Sequence, residues 1–322
     1  MENDFHNQDG TINYILMARG TPRVSTISRW TDTSEADTKW IDKTVTTTTN
    51  YDTLTSNPID QTQETSVYKN GALALASRRV IHNSTFDSLG NATSQQISSY
   101  TMDASVATLV NYQVLTNRLF DSSRDCTNQM VATYVDSTKA VLLSIQEIRS
   151  SGFNSSGAAG HEEIVTFSDP NRATIIGVSV IDNSGFTAQG YAGTSVVTRY
   201  STCTIAGAGK DGAITVADLN KMDQKTITTT SFDNRGNALD QTVVTQAWTY
   251  DAATSAGSWS FAEAQRITVL ASDIDIHDRV KASIVKNYSS ASLTDAFMTS
   301  LQKITYSAYD SFGNVTLEYV NT

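Results

Sequence analysis

This sequence predicts an all-β fold, repeated antiparallel β-hairpins forming a large curved sheet, shell or barrel, on three observations. A turn hexapeptide recurs: Phe86-Asp87-Ser88-Leu89-Gly90-Asn91 returns as Phe232-Asp233-Asn234-Arg235-Gly236-Asn237 and as Tyr309-Asp310-Ser311-Phe312-Gly313-Asn314. The residues before it alternate with period two. The composition also leans to sheet: 39% of the 322 residues are hydrophobic and 17% charged, and Thr, Ser, Asn, Gln and Ala fill much of the rest. Thr is a good strand former and a poor helix former. Only 3 Pro and 17 Gly argue against a disordered or collagen-like stalk.

Taken in order, weaker copies of the turn fill the chain. Phe5-His6-Asn7-Gln8-Asp9-Gly10 is a degenerate first copy, and Tyr68-Lys69-Asn70-Gly71 a second. After the Phe86 copy come Phe120-Asp121-Ser122-Ser123, Phe153-Asn154-Ser155-Ser156-Gly157 and Ile181-Asp182-Asn183-Ser184-Gly185. Ile274-Asp275-Ile276-His277-Asp278 lies between the Phe232 and Tyr309 copies. In the hexapeptide, the Asp accepts hydrogen bonds from amides two residues on, and Gly or Asn takes the left-handed conformation that closes a hairpin. The aromatic ends a strand and packs across the pair. Before Phe86, Val80, His82 and Ser84 alternate with Arg79, Ile81, Asn83 and Thr85; before Tyr309, Ile304, Tyr306 and Ala308 alternate with Lys303, Thr305 and Ser307. That period makes these segments strands.

From Asp87 the turn positions step by 34, 33, 28, 51, 42 and 35 residues, while Lys69 to Asp87 is only 18. The expectation is constant short turns on one side and variable loops on the other, with the loops holding specificity. Residues 207–223 form the longest insertion, with a short helix expected at 216–222 capped by Thr215. A second helix candidate spans residues 293–301. No composition shift marks a linker, so residues 1–322 are expected to form a single domain, a segment of a longer repeat array whose ends cut through repeats. Head-to-tail association is expected, or pairing of the final strand (residues 315–319) with a first strand at residues 11–17, because an unpaired strand is a template for another.

The net charge is −10, which repels nucleic acid and anionic headgroups. No stretch approaches a membrane-spanning helix, and the acidic start MENDFHNQDG is not a secretory signal. The chain is therefore expected to be cytosolic or a piece of something larger. Cys126 and Cys203 stand 77 apart without metal or redox spacing; spacing leaves a disulfide open, and two isolated thiols are the preferred reading.

The recurring Phe/Tyr-Asp turns with Gly90, Gly236 and Gly313, and their weaker copies, resemble the YD-repeat (RHS) family of bacterial cell-surface and toxin-associated proteins. The resemblance implies stacked β-hairpins forming a curving sheet or hollow shell on a large extracellular protein. This chain carries Gly-Asn where the family usually has Gly-Arg, with longer steps. No counterpart of the family's autoproteolytic core segment is present.

Candidate sites are few. Lys210-Asp211-Gly212-Ala213-Ile214 with Asp218 is similar to half a calcium loop, but Gly207 and Gly209 fall where oxygen ligands are required. The turn aspartates Asp87, Asp121, Asp182, Asp233, Asp275 and Asp310 form a carboxylate ladder if repeats stack, although each is also able to cap its own turn. His161-Glu162-Glu163 lacks the second histidine of a zinc helix. Trp30, Trp40, Trp248 and Trp259 are able to stack on sugars or to pack on the sheet. Five glycosylation patterns (at Asn83, Asn91, Asn154, Asn287 and Asn314) are expected by chance in so Ser-, Thr- and Asn-rich a chain. No catalytic, cofactor-binding or metal residue is assigned.

The leading expectation is a non-enzymatic structural or adhesive segment of a large bacterial surface protein. Its partners would be neighbouring repeats or copies of itself through edge strands. The alternative is a module binding carbohydrate or protein through the variable loops. An outer-membrane barrel needs an apolar lipid-facing row, whereas Thr226, Thr228 and Thr230 share one strand face.

Overall fold

A computed structural model describes residues 1–36, 39–103, 106–310 and 314–322; Gly313 of the third hexapeptide lies outside them. Strand takes up 61% of the chain and helix 5%, which agrees with the all-β expectation. The strands in chain order are β1 (Glu2–Asp4), β2 (Val24–Trp30), β3 (Trp40–Tyr51), β4 (Pro58–Lys69), β5 (Ala72–Phe86), β6 (Ala92–Asp103) and β7 (Val106–Phe120). There follow β8 (Cys126–Tyr134), β9 (Leu142–Ser151), β10 (His161–Phe167), β11 (Ile175–Ser184), β12 (Thr194–Tyr200), and a small pair, β13 (Thr204–Ile205) with β14 (Ile214–Thr215). The series ends with β15 (Lys221–Phe232), β16 (Ala238–Asp251), β17 (Ala256–Thr268), β18 (Ala282–Tyr288), β19 (Met298–Tyr309) and β20 (Val315–Asn321).

Apart from β13 and β14, every strand pairs antiparallel with the next in sequence, giving one 18-stranded meander. The sheet does not close, so it is an open strip and not a barrel.

Opposed charges set much of the register. Arg29 faces Asp42, Glu64 faces Arg78 and Arg199 faces Asp223 as ion pairs directly across two strands, and His82 faces Asp60 and His161 faces Asp182 as cross-strand hydrogen bonds. Slipping by one residue would break these pairs and expose carboxylates to unpaired neighbours. The Thr-rich strands are therefore better specified than their weak apolar alternation implies.

Because the strands alternate in direction, their connections fall on two rims. One holds the turns of Asn7, Asp52, Asp87, Asp121, Asn154, Thr187, Asp233, Asp275 and Asp310 and is called here the aspartate rim. The other, the loop rim, holds residues 31–36 and 39, 70–71, 135–141, 168–174, 201–220, 252–255 and 289–297. Length varies on both, since the aspartate rim also carries residues 185–193 and 269–281.

Two turn assignments change. Asn70 and Gly71, at φ 53 and 86, close a two-residue hairpin on the loop rim, which explains the short step to Asp87. Asp182 lies inside β11; the turn there belongs to Thr187, whose amide bonds Tyr191 O while Gly190 N bonds Thr187 O. With Thr187 the step from Asn154 becomes 33, identical to the one before it.

Four hairpins share a double bulge before the aspartate-rim turn: an extra residue on the first strand (Thr49, Ser84, Thr230 or Ser307), then one on the second. Thr49, Thr230 and Ser307 donate their hydroxyls to Asp60 O, Asp240 O and Leu317 O, each at 3.3 Å. A bulge leaves ladder carbonyls unpaired, and a short hydroxyl at the bulged position satisfies them. Repeated bulges bend the strip.

The bend brings the rims together. Lys69 Nζ donates to Ile274 O, and His277 reaches both Ala76 O at 3.0 Å and Asp103 Oδ1 at 2.9 Å. Arg29, Trp30 and Ile41 face Thr187, Tyr191 and Phe232. The loop rim of β2–β6 thus carries the aspartate rim of β12–β18, as one coil seated on another.

Two helix expectations and one strand expectation fail. Residues 216–222 hold only a 3-10 turn, Asp218–Asn220, before β15, and residues 293–301 a 3-10 turn, Asp295–Phe297, before β19. In both, ladder pairing (Lys221 with Tyr200, Leu301 with Lys286) overrides local propensity. Residues 11–17 are not a strand. They enter α1 (Tyr14–Arg19), whose Asn13 cap accepts from Ile15 N and Leu16 N and whose chain leaves through Gly20 at φ 67.

The densest core forms where the insertion, residues 201–220, lies over one face of β8–β12. Ile214 joins Ala132, Ile145, Val165, Phe167, Val178 and Tyr200, with Cys203, Ile205 and Val216 at its margin. Glu147, fully buried, pairs with Arg149 and Arg172 at its edge.

Candidate functional site

Each turn aspartate is consumed by its own turn. Asp87 Oδ1 accepts from Leu89 N and Asn91 N, both at 2.9 Å, and Oδ2 accepts from Asn91 Nδ2 at 2.9 Å. Asp233 repeats the set with Arg235 and Asn237, and Asp310 bonds Asn314 in the same way. The Asn of Gly-Asn therefore closes a carboxylate–carboxamide pair. At Asp275 the same position is Arg279, whose Nε donates to Oδ2 at 2.7 Å. Asp121 accepts from Ser123 N and Asp125 N. Spent in this way, the carboxylates make no metal ladder, and among the described residues no group of three or more His, Cys, Asp or Glu could hold a metal ion.

These bonds favour the charged carboxylate. The Asn91 side chain and turn amides hold Asp87 below the ordinary aspartate value of 3.8. At Asp275 burial pushes the other way but is outweighed by the Arg279 and His277 bonds. Asp60 is lowered by His82 and Asn50, and Asp240 by Arg266. A depressed folded-state pKa stabilises the fold above the unfolded value and loses that contribution as pH falls through the folded value. Acid unfolding followed by circular dichroism is thus expected to begin below about pH 3.8; a protein equally stable at pH 2 and pH 6 would contradict the turn chemistry.

The calcium-like loop is closed by a cation of the protein itself. Arg149 donates to Gly212 O at 2.9 Å and Lys210 O at 3.2 Å, and Lys210 Nζ donates to Arg172 O while lying 5.0 Å from the Phe167 ring centre. Those carbonyls face a guanidinium, so the loop is a clamp for the insertion.

His161 bonds Asp182 across β10 and β11, and His277 belongs to the seam between coils. Cys126 and Cys203 are free thiols, and burial raises Cys203. The sequon asparagines are engaged as well: Asn83 with Pro58 O, Asn91 with Asp87, Asn154 with its turn amides, Asn287 with Ser300 and Asn314 with Asp310.

The tryptophans pair with each other at the loop-rim ends of two hairpins. Trp30 and Trp40 lie 4.5 Å apart, and Trp248 and Trp259 4.7 Å apart. Lys221 sits over the second pair, and Trp248 Nε1 donates to Asp218 O at 2.9 Å. Where the coils meet, a cleft of about 590 Å³ opens between Arg29, Trp30 and Ile41 on one side and Tyr191, Phe232 and Asn234 on the other. Trp30 Nε1 is buried there without a hydrogen-bond partner among the described residues.

Two repeat signals escaped the sequence reading. Tyr51-Asp52 opens a copy lengthened by one residue, with Ser56 at φ 60 in the glycine's place. Residues 151–160 and 184–193 share the pattern Ser-Gly-Phe-x-x-x-Gly-x-Ala-Gly, in which Gly160 N bonds Gly152 O and Gly193 N bonds Gly185 O, each at 3.1 Å. The cleft had no local signal, since its walls lie far apart in sequence.

No family model matches the chain, and no curated protein matches it. Among solved structures it is similar to a chain in the crystal structure of TcdB2-TccC3, with 11% identity and a TM-score of 0.16. The match covers 89% of this chain and 19% of that one, so the chain spans about a fifth of the length of its match. No helix among the described residues is long and apolar enough to cross a membrane.

Proposed function

We propose that the chain is a non-enzymatic structural or adhesive β-repeat segment of a large bacterial cell-surface protein of the YD-repeat (RHS) kind. The observation that carries this reading is the seam. The strip coils so that its aspartate rim seats on its own loop rim, and the polar groups that would otherwise invite a chemical role are engaged in turns, cross-strand pairs and that seam. Stacking of neighbouring repeats along such a strip supports a scaffold role. Antibody raised against the purified chain should label intact producing cells; label that enters only after lysis would remove the surface assignment.

A ligand-binding role has one supporting observation, the aromatic-walled cleft with the unpartnered Trp30 Nε1. A glycan retained on an array by the native chain and lost by both Trp30→Ala and Tyr191→Ala would favour that reading over a scaffold alone.

A further inference from the structure

The cleft between the coils does not end at its aromatic walls. A second hollow of about 190 Å³ adjoins it, lined by Trp40, Tyr68, Lys69 and Arg235, and Ile41, Asp233 and Asn234 line both. The tryptophan pair spans the join, with Trp30 on the larger hollow and Trp40, 4.5 Å away, on the smaller. The two hollows form one groove along the seam, aromatic at one end and cationic at the other. The aromatic end alone, at about 590 Å³, falls in the size range of small-molecule sites.

The cationic end is built from both coils, with Lys69 ending β4 and Arg235 in the turn after β15. Burial, with Arg235 and Lys281 close by, lowers the Lys69 amine below its ordinary value of 10.5. Like charges are thus held near each other across the seam. The carboxylates around them are engaged already. Asp233 caps its own turn, Asp275 accepts from His277 N and Arg279, and Asp278 accepts from Arg235 Nη2 and Asn237 Nδ2, both at 2.8 Å. Arg29, beside the aromatic end, is spent on Asp42. The Arg235 side chain is only 11% exposed, yet its Nη1 is buried without a hydrogen-bond partner among the described residues. Trp30 Nε1, towards the other end, is in the same condition. A buried donor left unpaired is costly, and an acceptor brought to it relieves that cost.

Unpaired donors at both ends call for a ligand with acceptors along its length and a negative charge at one end. A pyranose meets the first need, because its C–H face lies flat on an aromatic ring while its oxygens accept at the edge. A carboxylate on the sugar meets the second, through charge-assisted bonds to a guanidinium and an ammonium. The net charge of −10 weighs against a densely charged polyanion, so a single acid group is the better fit.

We propose that the seam groove binds a carbohydrate carrying one carboxylate, a uronic acid joined to a neutral sugar, with the neutral ring between Trp30 and Tyr191 and the carboxylate at Lys69 and Arg235. This rests on the ligand-binding reading above and names its ligand class. Because both donors are covered, the sugar enters with a small parting of the coils and, once bound, holds them together.

The test is calorimetric titration of the full chain with cellobiouronic acid, cellobiose and inorganic sulfate. The acid is expected to bind about tenfold more tightly than cellobiose, as one charge-assisted contact would give, and sulfate more weakly than the acid. Lys69→Gln should bring the two sugars level, and Lys69→Arg should keep the preference, with unchanged circular dichroism and melting to verify folding. Equal binding of both sugars by the native chain would overturn the proposal and leave a neutral-glycan site standing. Sulfate bound as tightly as the acid would overturn it in favour of a plain anion site, and a preference that survives Lys69→Gln would overturn the placement of the carboxylate. No binding of either sugar would overturn it as well, and the glycan array then decides whether the wider ligand-binding reading survives.

Discussion

Gly236→Val is expected to destabilise the protein by about 3 kcal/mol, combining left-handed backbone strain with overpacking. Gly236 sits at φ +97, and a Cβ there would lie 2.4 to 2.9 Å from three atoms of the Tyr191 ring. That ring is not free to leave. It packs on Phe232 with centroids 5.5 Å apart and lines the seam opposite Arg29 and Trp30. A β-branched side chain therefore strains its own turn and pushes a neighbouring turn into the other coil. Gly207 is the control. It too lies at positive φ, +85, but its nearest neighbour is the carboxylate end of Asp211 at 2.5 Å, which is able to swing aside. Gly207→Val should cost about 1 kcal/mol, the backbone contribution alone. Urea unfolding of both variants decides the matter, and equal losses would mean that the Tyr191 contact is not rigid.

The second large effect is expected at the buried ion pairs. Glu147 is fully buried between Arg149 and Arg172. Arg172→Ala leaves the carboxylate with one partner, and breaking a buried pair in this way costs about 3 kcal/mol. The backbone carbonyl of residue 172, which receives Lys210 Nζ, survives the change, so the loss reports the side chain. The pH dependence adds a signature. Burial raises the Glu147 carboxyl above its ordinary value of 4.5, against the pull of the two arginines. A raised carboxyl binds its proton more tightly in the folded state. Stability from this group is therefore greatest below the unfolded value and falls as pH rises through the folded one. Without Arg172 the carboxyl rises further. The difference between native and variant urea midpoints should be larger at pH 8 than at pH 5. A difference independent of pH would mean that Glu147 keeps the same protonation state in both proteins across that range.

The turn chemistry was legible because it is local. Asp87, Asn91 and Gly90 are bonded to one another within five residues, so the hexapeptide announces its own structure. Errors came where a local pattern had two readings. Asp182 lies in a local turn-like sequence but pairs with His161 inside β11. Residues 11–17 are expected as a first strand, yet the Asn13 cap and Gly20 exit enclose a helix. Met298 and Leu301 belong to a strand because β18 is there to pair with them. Tyr51-Asp52 was missed because one inserted residue displaced the left-handed position from the expected glycine to Ser56.

The sequence by itself determined the hexapeptide turns, the alternation of the strands beside them, and that sheet would dominate. Only the tertiary structure decided that the strip stays open, that it coils, and that one rim rests on the other. Turn bonds span at most a few residues, and their donors and acceptors can be read from spacing. The seam joins His277 to Ala76 and Lys69 to Ile274, about 200 residues apart. Its geometry follows from small bends accumulated at successive bulges, and no single segment encodes that sum.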